Sequence, residues 1–364
     1  MMSRRRLLGG MLMMGAAPFN RVGTGDGTRP PDDGQDASMR RANRVAGFDR
    51  DALARSPAYA IDVNGVTVDG IDVTRTWDGG VCRSGAVHRG TKPIRVKEIV
   101  LFDVDSARPS STELYGEGFQ MLSQTGGTLA SPIDYSQYTD AKHYRLPVSE
   151  GSRACYGLLT LTAPGEATSA VAFTSCAKFA GRFDVSGSRI RAVLEAEGLE
   201  LAPGGRWPLE ELMFVSNRSR PRLLSDVAGR LAENHPPLTF SRPPSGWCSW
   251  YCFGPRVTAQ QVLDNLNAIA NDVPSLKYIQ IDDGYQRAMG DWLETGAAFG
   301  GDIRRVLDEI RRRGFEAAIW VAPFVAEEQS TAFQQHRDWF IKDETGAPLR
   351  SDRVTFGGWR RGPW

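Results

Sequence analysis

Leu276-Lys277-Tyr278-Ile279-Gln280-Ile281-Asp282-Asp283-Gly284 is an almost continuous apolar run that closes on two acids and a glycine. Such a run predicts a strand buried on both faces, as in a parallel sheet. A run of similar kind lies on each side, Gly246 to Phe253 and Phe315 to Val321. Helical segments separate the three. In the first, Thr258 and Gln261 have the spacing of a capping box, and Val262, Leu266 and Ile269 share a face. The second starts at Asp302, an N-cap residue, with Ile303, Val306, Leu307 and Ile310 as its apolar stripe. Arg311, Arg312 and Arg313 suit the negative end of that helix better than a phosphate patch, and Gly314 stops it. Strand–helix alternation of this kind predicts a parallel sheet, either doubly wound or closed into a barrel.

In both architectures ligands gather at the C-terminal ends of the strands. Trp250, Asp282, Asp283 and Trp320 fall near such ends. Aromatic rings beside carboxylates suit a sugar, whose C–H faces pack on indoles and whose hydroxyls can bond an acid bidentately. The plainer alternative makes Trp247, Trp250 and Trp320 core aromatics and the acids a turn or helix cap. Adjacent charges at a buried strand end cost free energy without partners, which favours a ligand role for Asp282 and Asp283.

Before Ser245 the pattern is different. Residues 45–240 read as short alternating strands without helical periods between them, the grammar of an antiparallel sandwich. Asn64-Gly65 predicts a hairpin between Tyr59–Val63 and Val66–Val68, with both turn residues at positive φ. Further strands are expected at Ile94–Val104, Cys155–Thr162, Ala170–Phe173, Ile190–Leu194 and Glu211–Val215. Leu223, Leu224, Val227 and Leu231 form one helical face before the prolines that mark a domain boundary. Tyr115-Gly116-Glu117-Gly118 lacks phosphate-loop spacing, and His88, His143 and His235 read as surface or hydrogen-bonded side chains. No site is expected in this half.

Composition narrows the function. At 41% hydrophobic and 24% charged the chain has the make-up of a soluble globular protein, and 364 residues suit two domains. A net charge of +1 argues against a nucleic-acid partner. No run reaches the roughly 18 apolar residues of a membrane span. Five cysteines make no disulfide framework, and Cys248 and Cys252 lack a second pair at zinc spacing, so no metal is expected and buried thiols are. Ser3-Arg4-Arg5-Arg6-Leu7-Leu8 resembles a twin-arginine export signal, which predicts a periplasmic or extracellular protein. A basic tail on a cytoplasmic protein is the alternative. Residues 21–44 read as a linker, so that 1–44 precede the folded part.

Gly246-Trp247-Cys248-Ser249-Trp250-Tyr251, Gln280-Ile281-Asp282-Asp283-Gly284-Tyr285 and Gly290-Asp291-Trp292-Leu293 occur in order. Ile319-Trp320-Val321-Ala322-Pro323-Phe324 and His336-Arg337-Asp338-Trp339-Phe340 follow, the last with Arg337 where the usual form has proline. Together they resemble an α-galactosidase of glycoside hydrolase family 36 from Ser245 to about Phe340. The resemblance implies an N-terminal antiparallel β-sandwich over 45–240, followed in 241–364 by the first part of a (β/α)8 TIM barrel. It implies retaining hydrolysis of terminal α-D-galactosides without cofactor, Asp282 and Asp283 binding hydroxyls and Trp250, Tyr251 and Trp320 lining the pocket.

In that family the nucleophile is an Asp in a Lys-x-Asp pattern on the fourth barrel strand, and the acid/base follows later. Residues 245–364 are too few for a barrel of roughly 250 residues. Lys342-Asp343 lies in a polar turn with Gly346 and Pro348. Asp282 and Asp283 leave a strand in opposing directions and cannot flank one anomeric carbon. Glu327 and Glu328 follow the third run, but nothing in the resemblance supports them. No catalytic residue is therefore assigned, and a truncated chain is expected. The alternatives are a non-catalytic carbohydrate-binding fragment or pseudoenzyme, or a relative that transfers galactose.

Overall fold

The computed structural model describes residues 45–119, 123–135, 146, 151–236, 243–343 and 345–350. The export-signal and linker readings, His143 and residues 351–364 lie outside these residues. Apart from Leu146, the described residues up to Val227 form one compact unit and those from Ala228 the other.

The first unit holds two sheets, antiparallel but for one short pair. Among the described residues one sheet has seven strands, in the order Arg153–Tyr156, Ala180–Ser186, Arg189–Leu201, Ile94–Asp105, Tyr59–Asp62 and Thr67–Val68. Val45–Ala46 adds in parallel to Ile94–Asp105. The other has nine: Arg206–Pro208, Val81–His88, Leu212–Asn217, Thr168–Phe173, Leu158–Thr162, Glu113–Gly116, Thr125–Gly127 and Pro132–Asp134 in order, with Ile71–Asp78 paired to Val81–His88. One core joins them: Phe102, Phe183, Ile190 and Leu194 from the first sheet meet Leu114, Leu159, Val171 and Leu212 from the second. Each such side chain contributes about 1.5–3 kcal/mol by leaving water. This is the face-to-face arrangement expected of a sandwich.

Three local expectations change. The run Cys155–Thr162 is two strands in different sheets, because Gly157 at φ 71° breaks it. The hairpin turn places only Gly65 at positive φ (83°); Asp62 caps it by accepting from the backbone N–H groups of Asn64 and Val66. In the helix Arg220–Asn234, Leu223 and Val227 are buried but Leu224 and Leu231 are exposed. His88 is buried: Nε2 donates to the Lys92 carbonyl (2.7 Å) and Nδ1 accepts from the Gly90 N–H (3.0 Å).

Glu210 clasps a loop of this unit. Its carboxylate accepts from the backbone N–H groups of Ala177 (3.0 Å), Lys178 (2.7 Å) and Phe179 (2.9 Å), and from the Ser175 hydroxyl. Burial alone would raise its pKa, but these donors together hold it below the ordinary 4.5. A carboxyl with a depressed folded pKa adds stability above its unfolded pKa and loses it as pH falls through the folded value. Glu210→Gln should therefore be less stable than the unaltered chain at about pH 7, with a narrower gap at about pH 3. Urea midpoints at the two pH values test this; a gap of constant size would show that Glu210 acts by packing alone.

The second unit carries a three-stranded parallel sheet, Gly246–Cys248, Tyr278–Ile281 and Glu316–Ile319, with Tyr278–Ile281 in the centre. The helix Ala259–Asp272 links the first two, and Thr258 and Gln261 form the capping box at its start. Arg304–Arg312 links the second pair; Ile303 occupies the N-cap position expected of Asp302, whose carboxylate instead accepts from Arg304 N–H. Val262, Leu266, Ile269, Val306 and Ile310 bury against Ile279 and Ile281. Gly246 permits the first pairing, since a Cβ there would lie 2.3 Å from the Tyr278 carbonyl oxygen.

Candidate functional site

The three strands end at one level and are tied together there. Ser249 N–H donates to the Gln280 carbonyl (3.1 Å), and Trp320 N–H to that of Ile281 (2.9 Å). The fully buried Ser249 hydroxyl accepts from Asp282 N–H at 2.9 Å. These bonds extend the ladder past the last strand residues and fix where Asp282 leaves it. Gly284, at φ 121° and with the Pro255 carbonyl oxygen 2.6 Å from where a Cβ would stand, turns the chain behind it.

The strand ends open into a cleft of about 330 Å³ lined by Cys248, Trp250, Tyr251, Gln280, Asp282 and Trp320. Four of the residues expected from sequence meet here. Trp320 is braced by the edge of Trp292, with ring centroids 5.8 Å apart and planes at 82°. Tyr251 is 89% exposed at the rim. The long strand expected over Gly246–Phe253 does not form: pairing ends at Cys248, and Trp250–Phe253 is a short helix closed by Gly254 at φ 55°. Trp250 and Tyr251 thus reach the cleft from a helix.

Asp283 is not among the cleft-lining residues. It is fully buried, and its Oδ1 accepts from Gln286 Nε2 at 2.6 Å, while Gln286 Oε1 takes Gly284 N–H at 3.0 Å. Successive residues at a strand end point to opposite sides, so the alternation that brings Asp282 into the cleft takes Asp283 away from it.

Asp282 is held at both oxygens. Oδ1 accepts from Asp283 N–H (2.8 Å); Oδ2 accepts from Gln280 Nε2 (2.9 Å) and from the Cys248 thiol (3.3 Å). Burial pushes the Cys248 thiol up to about 11, and the Asp282 carboxylate adds to the shift, so the group stays a protonated donor near neutral pH. Cys252 is exposed, contrary to its reading as a buried thiol. Gln280 was missed in the sequence, although its place two residues before Asp282 puts both on one face of a strand.

Four other acids of this unit that sequence reading singles out make local contacts. Asp291 accepts from Thr331 and Ala332 N–H groups, both at 3.0 Å. Glu327 accepts from Met289 N–H (3.0 Å), and Glu328 lies 3.8 Å from Arg350. Asp343 sits in a turn, accepting from Thr345 and Ala347. Among the described residues no group of three or more His, Cys, Asp or Glu side chains could hold a metal ion, and no helix is long and apolar enough to cross a membrane.

No family model matches the chain. An α-galactosidase from Thermus thermophilus, solved with p-nitrophenyl α-D-galactopyranoside, aligns over 80% of this chain and 56% of its own at TM-score 0.53 and 22% identity. A family 36 α-galactosidase, AgaB of Geobacillus stearothermophilus, aligns over 82% and 49% at TM-score 0.51 and 14% identity. In sequence, an A type blood α-D-galactosamine galactosaminidase of Flavonifractor plautii is 30% identical over 107 residues. That match covers 29% of this chain and 10% of the relative, so the chain spans a small part of its curated relative and about half of each solved structure. The chain resembles the α-galactosidases of glycoside hydrolase family 36 in fold as well as in motif.

Proposed function

We propose that the chain carries the sugar-recognition part of an α-galactosidase-type glycoside hydrolase, one that acts on terminal α-D-galactosides with retention. The observation that carries this reading is the Asp282 carboxylate fixed in a cleft that Trp250 and Trp320 also line. A rigid acceptor beside aromatic faces matches the hydroxyls and C–H surface of a pyranose. In this reading the three parallel strands are the opening part of a (β/α)8 barrel.

Retaining hydrolysis needs two carboxylates about 5–5.5 Å apart, one as nucleophile and one as acid and then base. Asp282 is the one acid among the described cleft-lining residues, and its oxygens are engaged by three donors. Such a group can still accept a hydroxyl hydrogen and makes a poor nucleophile. The reading for this chain by itself is binding without cleavage.

Incubation of the chain with p-nitrophenyl α-D-galactopyranoside tests both parts. Saturable binding of the glycoside without nitrophenol release is expected. Release at enzyme-like rates would overturn the recognition-only reading, and absence of binding would overturn the sugar site itself.

A further inference from the structure

We infer that Gln280 and Cys248 are positioning residues for the sugar, acting through Asp282, and that they limit Asp282 to a single substrate hydroxyl. The inference rests on the galactoside reading of the cleft.

A carboxylate offers about four lone-pair directions. At Asp282 one on Oδ1 is taken by Asp283 N–H, and both on Oδ2 are taken by Gln280 Nε2 and Cys248 Sγ. One direction remains, on Oδ1. Asp282 therefore receives one hydroxyl in one direction, and the bidentate grip anticipated from sequence has no room. The parallel register makes this arrangement possible, because Cys248 pairs directly with Gln280 on the neighbouring strand and both side chains line the cleft.

The two donors have separate consequences. Without the Gln280 amide, Oδ2 is free to turn toward solvent or a second hydroxyl, and the carboxylate loses its fixed plane. Gln280 in turn is oriented by the contact: a carboxylate only accepts, so Nε2 faces Asp282. The Cys248 thiol supplies the weaker of the two bonds. A serine there keeps a donor, and an alanine removes it at similar volume.

Calorimetric titration of the full chain with methyl α-D-galactopyranoside decides the matter. Gln280→Met keeps the length and removes the donor, and should weaken binding about 10-fold, as for one lost hydrogen bond to a charged group. Cys248→Ala should weaken it about 3-fold, and Cys248→Ser should recover most of that loss. The panel is then repeated with monodeoxy galactosides, each lacking one ring hydroxyl. The Gln280→Met penalty should vanish for one member, the sugar without the hydroxyl that Asp282 accepts, and persist for the others. Equal affinities across the variants, or a penalty that no deoxy sugar removes, would overturn the positioning role while leaving the sugar site standing. Failure of the unaltered chain to bind any of these sugars would instead overturn the galactoside reading, and the inference with it.

Discussion

Arg182→Met is expected to lower the stability of the protein by about 3–5 kcal/mol, the usual effect of removing one partner from a buried charge network. The Arg182 side chain is fully buried in the first unit. Its guanidinium donates to Glu98 (2.7 Å), to Asp184 (2.8 Å) and to Glu195 (2.5 Å). Arg191 adds a bond to Asp184 at 2.7 Å, and the Tyr156 hydroxyl one to Glu195 at 3.0 Å. Burial by itself would lower the Arg182 pKa, but Asp184 and Glu98 outweigh it and drive the value up. Burial pushes Glu195 up, against the pull of Arg182. Methionine preserves most of the volume, so the loss reads the electrostatics. Asp184 would keep Arg191 and Glu195 the Tyr156 hydroxyl, while Glu98 would lose its bond to Arg182. Urea unfolding of the two chains measures the difference. A loss below about 1 kcal/mol would mean that water or protonation compensates at little cost. Adding Glu195→Gln to Arg182→Met should recover part of the loss, because one fewer charge is left buried.

Asp282→Asn should weaken galactoside binding by about 10-fold or more, since hydrogen bonds to a charged acceptor contribute about 1.5–3 kcal/mol each. The substitution is isosteric yet poorly tolerated by the surrounding donors. Asp282 accepts at Oδ1 from a backbone N–H and at Oδ2 from an amide and a thiol. An asparagine carries one N–H₂ group, and either orientation points it at a donor. The charge is lost and the side chain turns out of its plane. Titration with methyl α-D-galactopyranoside, beside a thermal melt to confirm folding, provides the measurement. Unchanged affinity in a folded variant would remove Asp282 from the sugar site. Asp283→Asn should behave differently: Asp283 faces Gln286 in the interior, so the substitution should act on stability more than on affinity.

The contrast between the neighbouring acids indicates how far the chain could be read in one dimension. The apolar run into Asp282, the capping box at Thr258 and the glycine stop after Arg313 are local patterns. Their physical causes act within a few residues, so they were legible. The short helix at Trp250–Phe253 was not. Its aromatic composition favours strand, but strand pairing ends where Ser249 turns its hydroxyl to Asp282 N–H, and the next residues coil. The split of Cys155–Thr162 was equally hidden, because apolar alternation continues across Gly157 while the chain changes sheets.

The buried arginine network of the first unit was missed altogether. Arg182 and Glu195 sit on consecutive paired strands, but Glu98 is 84 residues from Arg182 and comes onto the next strand only through antiparallel pairing; no motif joins the three.

By itself, the sequence determined the alternation of strands and helices, the place of Asp282 at a strand end, and a family likeness carried by short motifs. Periodicity and capping act between near neighbours, and one line of residues suffices to show them. Only the tertiary structure decided which acid enters the cleft and which donors hold it. Those outcomes depend on parallel register between Cys248 and Gln280, residues on separate strands whose meeting no local pattern encodes.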